Sequence, residues 1–131
     1  MLKDQKRQHI STSWEEIGFI EYGQGIRAAH FSLGIEGDES NPIIMRSSFP
    51  PDVVVEPHSH NTDYTEIILS GSQQVTRKWH YPGDVRVVKA GTLYGPLVSG
   101  PEGVEILFVF RDSHMEPVGM KAQEEVVDAT M

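Results

Sequence analysis

The strongest constraint on the fold of this chain is an even succession of short apolar segments, each the length of a β-strand. Gly, Pro, Asn and Asp lie between the segments and supply the positive or fixed φ that tight turns require. No long segment with helical periodicity interrupts the series, so the pattern predicts an all-β sandwich or barrel. The strand-sized segments are residues 26–33, 43–49, 53–56, 65–69, 73–79, 85–88 and 104–110.

Length and charge narrow the class of protein further. A chain of 131 residues is most simply one domain with a single core. A net charge of −8 argues against nucleic acid as a partner, and no apolar run is long enough for a membrane span. A secretory signal would have an apolar segment after its basic residues, and the basic N-terminus of this chain has none. We therefore expect a cytoplasmic protein. Its lack of cysteine excludes disulfides and thiolate ligands.

The ends of the chain differ from its centre. Residues 1–25 are interpreted as an N-terminal arm or edge strand, with one helical turn near "STSWEE" that Ser11 or Ser13 would cap. Residues 26–115 would form the barrel, and residues 116–131 an acidic tail that is frayed or briefly helical.

The stretch "PHSHNTDYTEIILSG", residues 57–71, holds two histidines one residue apart. Side chains two apart in a strand point the same way, so His58 and His60 would present both rings on one face. Neutral imidazoles suit Zn, Fe, Ni and Cu. Two ligands do not complete a catalytic site, which usually has three protein ligands and an open position.

The same stretch resembles the first signature of the cupin superfamily, G(X)5HXH(X)3,4E(X)6G. His58 and His60 fill the HXH, Tyr64 stands at the glutamate position, and Gly71 follows after six intervening residues.

The second cupin signature, G(X)5PXG(X)2H(X)3N, has a counterpart in "GDVRVVKAGTLYGPLV". Gly83 opens it, Lys89 replaces the proline, Gly91 follows, and Tyr94 takes the histidine position. The resemblance implies a small RmlC-like cupin with a double-stranded β-helix, or jelly-roll barrel.

The resemblance also implies four metal ligands, of which this chain keeps only the histidine pair. Glu66 lies two residues beyond Tyr64 on the same inward face, roughly 6–7 Å further along the strand. His58, His60 and Glu66 would then form a two-histidine, one-carboxylate set for Fe, Mn, Ni or Zn. The alternatives are a metal-free pocket lined by imidazoles and a Glu66 that pairs with Arg or Lys.

Tyr64, Glu66 and Tyr94 are the candidates for moving a proton. Alternatively, each tyrosine is a distant fourth metal ligand, or a pocket wall with a satisfied hydroxyl. Two arginines, Arg27 and Arg46, are predicted to face solvent.

The resemblance implies several functions for a barrel of this kind. The first hypothesis is a metal-dependent enzyme of dioxygenase, isomerase, lyase or cyclase type, and the second is a small-ligand binding or sensing cupin without metal. A third is an assembly protein. Convergence of Glu66 with the histidines favours the enzyme, and its pairing with an arginine favours the binding protein. The resemblance also implies a homodimer, with residues 1–25 contributing to the contact.

Overall fold

The computed structural model describes residues 9–35 and 37–118, which form a curled antiparallel sheet with one short helix. The elements are α1 (Trp14–Ile17), β1 (Ile20–Glu21), β2 (Arg27–Ser32), β3 (Ile43–Phe49), β4 (Val54–Val55), β5 (Ser59–His60), β6 (Tyr64–Val75), β7 (Lys78–His80), β8 (Val85–Val88), β9 (Leu97–Phe110) and β10 (Pro117–Val118). The all-β prediction is confirmed.

The strands follow a jelly-roll order. The main sheet runs β1-β2-β3-β9-β6-β7, with β4 paired to β9 and β8 paired to β6. A second, two-stranded ribbon joins β10 to β5. An isolated antiparallel bridge connects His58, from the first signature, to Tyr94, from the second. The backbone therefore brings the two signatures side by side.

The core lies on the inner face of the sheet, where period-two alternation places it. On β9, Val104, Ile106, Phe108 and Phe110 point inward, as their alternation predicts, and Ile106 is completely buried. A smaller cluster of valines and Leu97 closes the barrel beneath β4. The inner face of the sheet is thus covered by aromatic and branched side chains.

Two strands are longer than the sequence predicts. Residues 70–72 ("SGS") and 99–103 ("SGPEG") are expected as turns because they lie between predicted strands. In the structure they are parts of strands: β6 continues through Gly71 and β9 through Gly103. Gly71 has a φ of 75°, and a Cβ there would collide with the carbonyl oxygen of Gly103. The pairing register shifts between Gly71 and Gln73, so these glycines mark bulges that bend the paired strands rather than ending them.

The predicted strand 73–79 is also wrong, since it crosses a hairpin. Val75 pairs with Lys78, and the intervening Thr76 and Arg77 both have positive φ, of 46° and 74°. Neither residue is a typical hairpin residue such as Asn or Gly, which is why the turn is hidden in the sequence.

The N-terminal segment packs against β2, with which both α1 and β1 are in contact. Ser13 caps α1 by accepting a hydrogen bond from the backbone N–H of Glu16 at 3.2 Å, as one of the two predicted caps. Trp14 lies against Phe31 of β2 with ring centroids 5.7 Å apart. The predicted divisions near residues 25 and 115 stay predictions, and most of the predicted tail lies outside the described residues. No helix within residues 9–35 and 37–118 has the length and apolar character to cross a membrane.

Candidate functional site

The structure places all five candidate side chains on the inside of the barrel. His60 lies on β5, His58 just before it, and Tyr94 across the bridge from His58. Tyr64 and Glu66 lie on β6. The exposed fractions of His58, His60, Tyr64 and Glu66 are 5%, 8%, 3% and 1%. The prediction that both imidazoles share one face agrees with the 5.0 Å between their ring centroids.

Backbone carbonyls fix the orientation of both imidazoles. The Nδ1 of His58 lies 2.9 Å from the carbonyl oxygen of Glu56, and that of His60 lies 2.6 Å from the carbonyl oxygen of Met115. A carbonyl can only accept, so each Nδ1 carries the proton and each Nε2 keeps a lone pair. Burial lowers the pKa of His58, and burial lowers the pKa of His60 to about 4. Both rings are therefore neutral acceptors near pH 7.

Tyr94 is a hydrogen-bond donor to this pair. Its Oη lies 3.2 Å from the Nε2 of His58, which has no proton to give, so the phenol donates. Burial raises the pKa of Tyr94, with the nearby Glu66 carboxylate adding to the rise, and this keeps the phenol protonated. The role open to Tyr94 at neutral pH is that of a donor rather than a base.

Glu66 is held by an arginine that the sequence analysis missed. The Nη1 of Arg86 donates to Oε2 of Glu66 across the paired strands β6 and β8, and Gln73 reaches Oε1 at 3.5 Å. Burial raises the pKa of the Glu66 carboxyl, and the Arg86 guanidinium opposes that rise. The same guanidinium lies over the Tyr94 ring at 4.7 Å, so one cation links the buried acid to the aromatic wall of the site.

The sequence gives only a faint signal for Arg86. In "VRVV" the apolar Val85 and Val87 face outward, with exposed fractions of 58% and 70%, and Arg86 faces inward. A polar residue among valines is expected to point to solvent. Only the pairing of Arg86 opposite Glu66 shows that the arginine faces inward and the two valines face outward. The two arginines considered from sequence lie elsewhere: Arg46 pairs with Glu105 at 3.0 Å, and Arg27 lies over Phe19.

The structure does not gather the predicted three-ligand metal set. In the described part of the chain, no three His, Cys, Asp or Glu side chains come together as a group that could hold a metal. The physical reason is the commitment of the Glu66 carboxylate to Arg86, which leaves His58 and His60 without an acidic third ligand. Among the described residues, the two imidazoles fall short of the three protein ligands that a catalytic divalent ion usually requires, so this donor set does not fit such an ion.

Tyr64 is buried behind the imidazoles. Its ring lies 4.8 Å from that of His60 and 5.2 Å from that of Phe110. Its hydroxyl is buried, and no described residue forms a hydrogen bond of good geometry with it. Burial raises the pKa of Tyr64, with the neighbouring Tyr94 adding to the rise. Tyr64 is thus a neutral residue of the hydrophobic core behind the imidazoles.

A cavity of about 170 Å³ opens onto the imidazole pair. His58, His60 and Tyr94 line it, whereas Tyr64, Glu66 and Arg86 do not. The remaining wall is mostly apolar and includes Met45, Phe49, Val55, Leu97, Phe108 and Phe110. The arrangement is that of a small-molecule site, in which a few polar groups converge within an apolar enclosure.

Comparisons with solved structures identify the architecture. An RmlC-like cupin from Shewanella frigidimarina is similar at a TM-score of 0.63 and 18% identity, over 79% of this chain and 90% of that one. KdgF from a Halomonas species is similar at a TM-score of 0.57 and 20% identity, over 74% of this chain and 90% of that one.

An oxalate decarboxylase variant from Bacillus subtilis is also similar, with a TM-score of 0.64 and 20% identity over 84% of this chain. This chain spans only 32% of the decarboxylase chain. No protein-family model matches the sequence, and no curated protein matches it. The fold class is that of the cupins, which confirms the resemblance predicted from the two signatures. These likenesses show the fold alone, a cupin barrel like that of the small RmlC-like cupin.

Proposed function

We propose that this protein binds a small organic molecule in its imidazole-lined cavity through protein side chains, without a metal ion as a required part of the site. The observation that carries the proposal is the Glu66–Arg86 pair. The acid that a metal site would need is neutralised by a protein cation, and the imidazoles face the cavity without it. This is the outcome that favours a binding or sensing cupin over a metal-dependent enzyme.

The cavity supports this proposal by its chemistry. Its polar groups are fixed by hydrogen bonds to the backbone and to each other, so little rearrangement is needed when a ligand enters. Fixed polar groups within an apolar wall provide specificity at low entropic cost.

A titration of isotope-labelled, chelator-treated protein with small monocyclic compounds, followed by NMR, tests the proposal. We expect saturable shifts in the ring signals of His58, His60 and Tyr94, and a matching response in untreated protein. Shifts that require added metal, or no shifts at these rings with any compound, would contradict it.

A metal-dependent enzyme is the second candidate function, and one observation favours it. Each imidazole donates its Nδ1–H to a carbonyl, which is the arrangement that orients histidines for metal binding through Nε2. Elemental analysis of protein purified without a histidine tag distinguishes the two functions. Near-stoichiometric Fe, Mn, Ni or Zn that disappears in a His58→Ala, His60→Ala double variant would favour the enzyme.

A further inference from the structure

The two imidazoles of the cavity are not equivalent as hydrogen-bonding groups. The Nε2 of His58 already accepts from Tyr94 at 3.2 Å. None of the described side chains donates to the Nε2 of His60, whose Nδ1–H is committed to the carbonyl oxygen of Met115. The cavity therefore presents one strong neutral acceptor, the Nε2 of His60, to which the described part of the chain supplies no donor. A molecule that enters must supply that donor or leave the acceptor desolvated.

The described residues that line the cavity include no cation to pair with a negative charge. Arg86 does not line the cavity; its guanidinium pairs with Glu66 and lies over the Tyr94 ring. Among the described residues, the one formally charged side chain that lines the cavity is Glu116, which is exposed. An anion in the cavity would meet no cation and would lie near a carboxylate, so its burial is unfavourable.

The size and walls of the cavity favour one aromatic ring. Its volume of about 170 Å³ is close to that of an engineered apolar cavity of about 150 Å³ that binds benzene. Phe108, Phe110 and Phe49 provide ring faces and edges, and Met45 provides a polarisable thioether. Aromatic and thioether groups of this kind pack well against a flat ring.

Taken together, these features define the ligand. We infer that the cavity binds a neutral, single-ring aromatic molecule that carries a hydroxyl group, and that this hydroxyl donates a hydrogen bond to the Nε2 of His60. The inference rests on the proposed function, because it specifies the ligand of the same cavity.

The test compares matched ligands that share one ring and differ in one group. The wild-type protein is titrated with p-cresol, toluene, 4-methylanisole, 4-methylbenzoate and 4-methylbenzylammonium, and binding is followed by calorimetry and by the ring signals of the two histidines. We expect p-cresol to bind about tenfold more tightly than toluene and 4-methylanisole, since one hydrogen bond to a buried acceptor is at stake. The benzoate and the ammonium compound should bind more weakly than p-cresol.

The outcomes separate the ligand class from the proposed function. If toluene or 4-methylanisole binds in the cavity as tightly as p-cresol, the ligand class is overturned and the proposed function stands. Tighter binding of the benzoate or of the ammonium compound also overturns the ligand class. Absence of binding by all five compounds overturns both.

Two variants test whether His60 is the residue that accepts the hydrogen bond from the ligand. His60→Leu should reduce the ratio of p-cresol to 4-methylanisole affinity from about ten to about one. The same substitution at the exposed His9, which lies outside the cavity, should leave the ratio unchanged. An unchanged ratio in a folded His60→Leu variant would overturn the assignment to His60. If that variant does not fold, the comparison of the five ligands with the wild-type protein still tests the ligand class.

Discussion

At the scale of single residues, Tyr94 connects two parts of the site. Its hydroxyl donates to His58, and its ring lies under the guanidinium of Arg86. The cupin signature places a histidine here, and the sequence alone left open whether a tyrosine acts as ligand, acid or wall. Only the fixed tautomer of His58 assigns it as a donor.

We expect Tyr94→Phe to lower the free energy of unfolding by about 1 kcal/mol, since it removes one hydrogen bond and keeps the ring. Urea denaturation measures the change. Tyr81→Phe is the matched control, because Tyr81 is 55% exposed and outside the cavity. Equal effects of the two substitutions would mean that the bond to His58 contributes nothing.

His60 should make the fold sensitive to acid. Its pKa is lowered by burial to about 4, below the 6.5 of the free side chain, so the unfolded chain takes up the proton first as pH falls. The stabilising contribution of the neutral ring is full above about pH 6.5 and is lost between about pH 6.5 and 4.

The loss is on the order of 3 kcal/mol for this group. Urea denaturation of wild type and His60→Asn at several pH values measures it: the stability advantage of wild type should shrink on acidification. The same substitution at exposed His9 gives the baseline. A pH-independent difference between wild type and His60→Asn would contradict the prediction.

At the scale of secondary-structure elements, the sequence predicts the presence of a strand more accurately than the residues at which the strand begins and ends. The segments 43–49 and 85–88 match β3 and β8, because clear turns flank them. The ends of β6 and β9 could not be predicted, since a glycine that bends a strand and one that ends it look alike in sequence. Whether Gly71 is a bulge depends on its partner Gly103, 32 residues further on, and pairing of that kind is a tertiary property.

The β6–β7 hairpin contains a correctable strain. Arg77 has a φ of 74°, where a side chain is unfavourable and glycine is not. We expect Arg77→Gly to raise the free energy of unfolding by about 0.5–1 kcal/mol, as measured in urea.

Arg77→Ala is the matched control, because it removes the same side chain and keeps the Cβ. It should give no stabilisation. Thr76 is not a suitable site for the same change, since its hydroxyl donates to the carbonyl oxygen of Gly95 at 3.0 Å. Destabilisation by Arg77→Gly would show that the arginine side chain outweighs the backbone strain.

At the scale of the whole molecule, the outer face of the barrel has an apolar area that bears on the predicted dimer. Strand register places Ile44, Val109, Thr65 and Val87 in one cross-strand row. Val87 is 70% exposed, and no ionised group stands in the row. Two copies with a charge of −8 each repel one another, so an uncharged face is where they can associate.

We expect light scattering to give the mass of a dimer, and a Val87→Lys, Val109→Lys double variant to shift it towards the monomer. Ile35→Lys is the control, since Ile35 is 77% exposed and lies outside the row. A monomeric wild type would refute the dimer. A dimer that survives the double variant would place the contact elsewhere, with residues 1–25 as the remaining prediction.

The fold as a whole could be predicted from the spacing of turns and from the two signatures, because these depend on local chemistry. The histidine pair could be predicted from the alternation of a strand. The partner of Glu66 could not, because Arg86 lies 20 residues away and meets it only through sheet pairing. On the proposed function, that one contact is what distinguishes a cavity of neutral groups from a metal site.

A Glu66→Gln substitution tests this central contact most directly, through the free energy of unfolding and the metal content of the same purified protein. If Glu66 is the partner of Arg86, the variant leaves a buried guanidinium uncompensated and should lose about 3–5 kcal/mol of stability, with no change in metal content. Arg86→Gln should have a similar effect. A Glu66→Gln protein that keeps its stability but loses a bound metal would contradict the account.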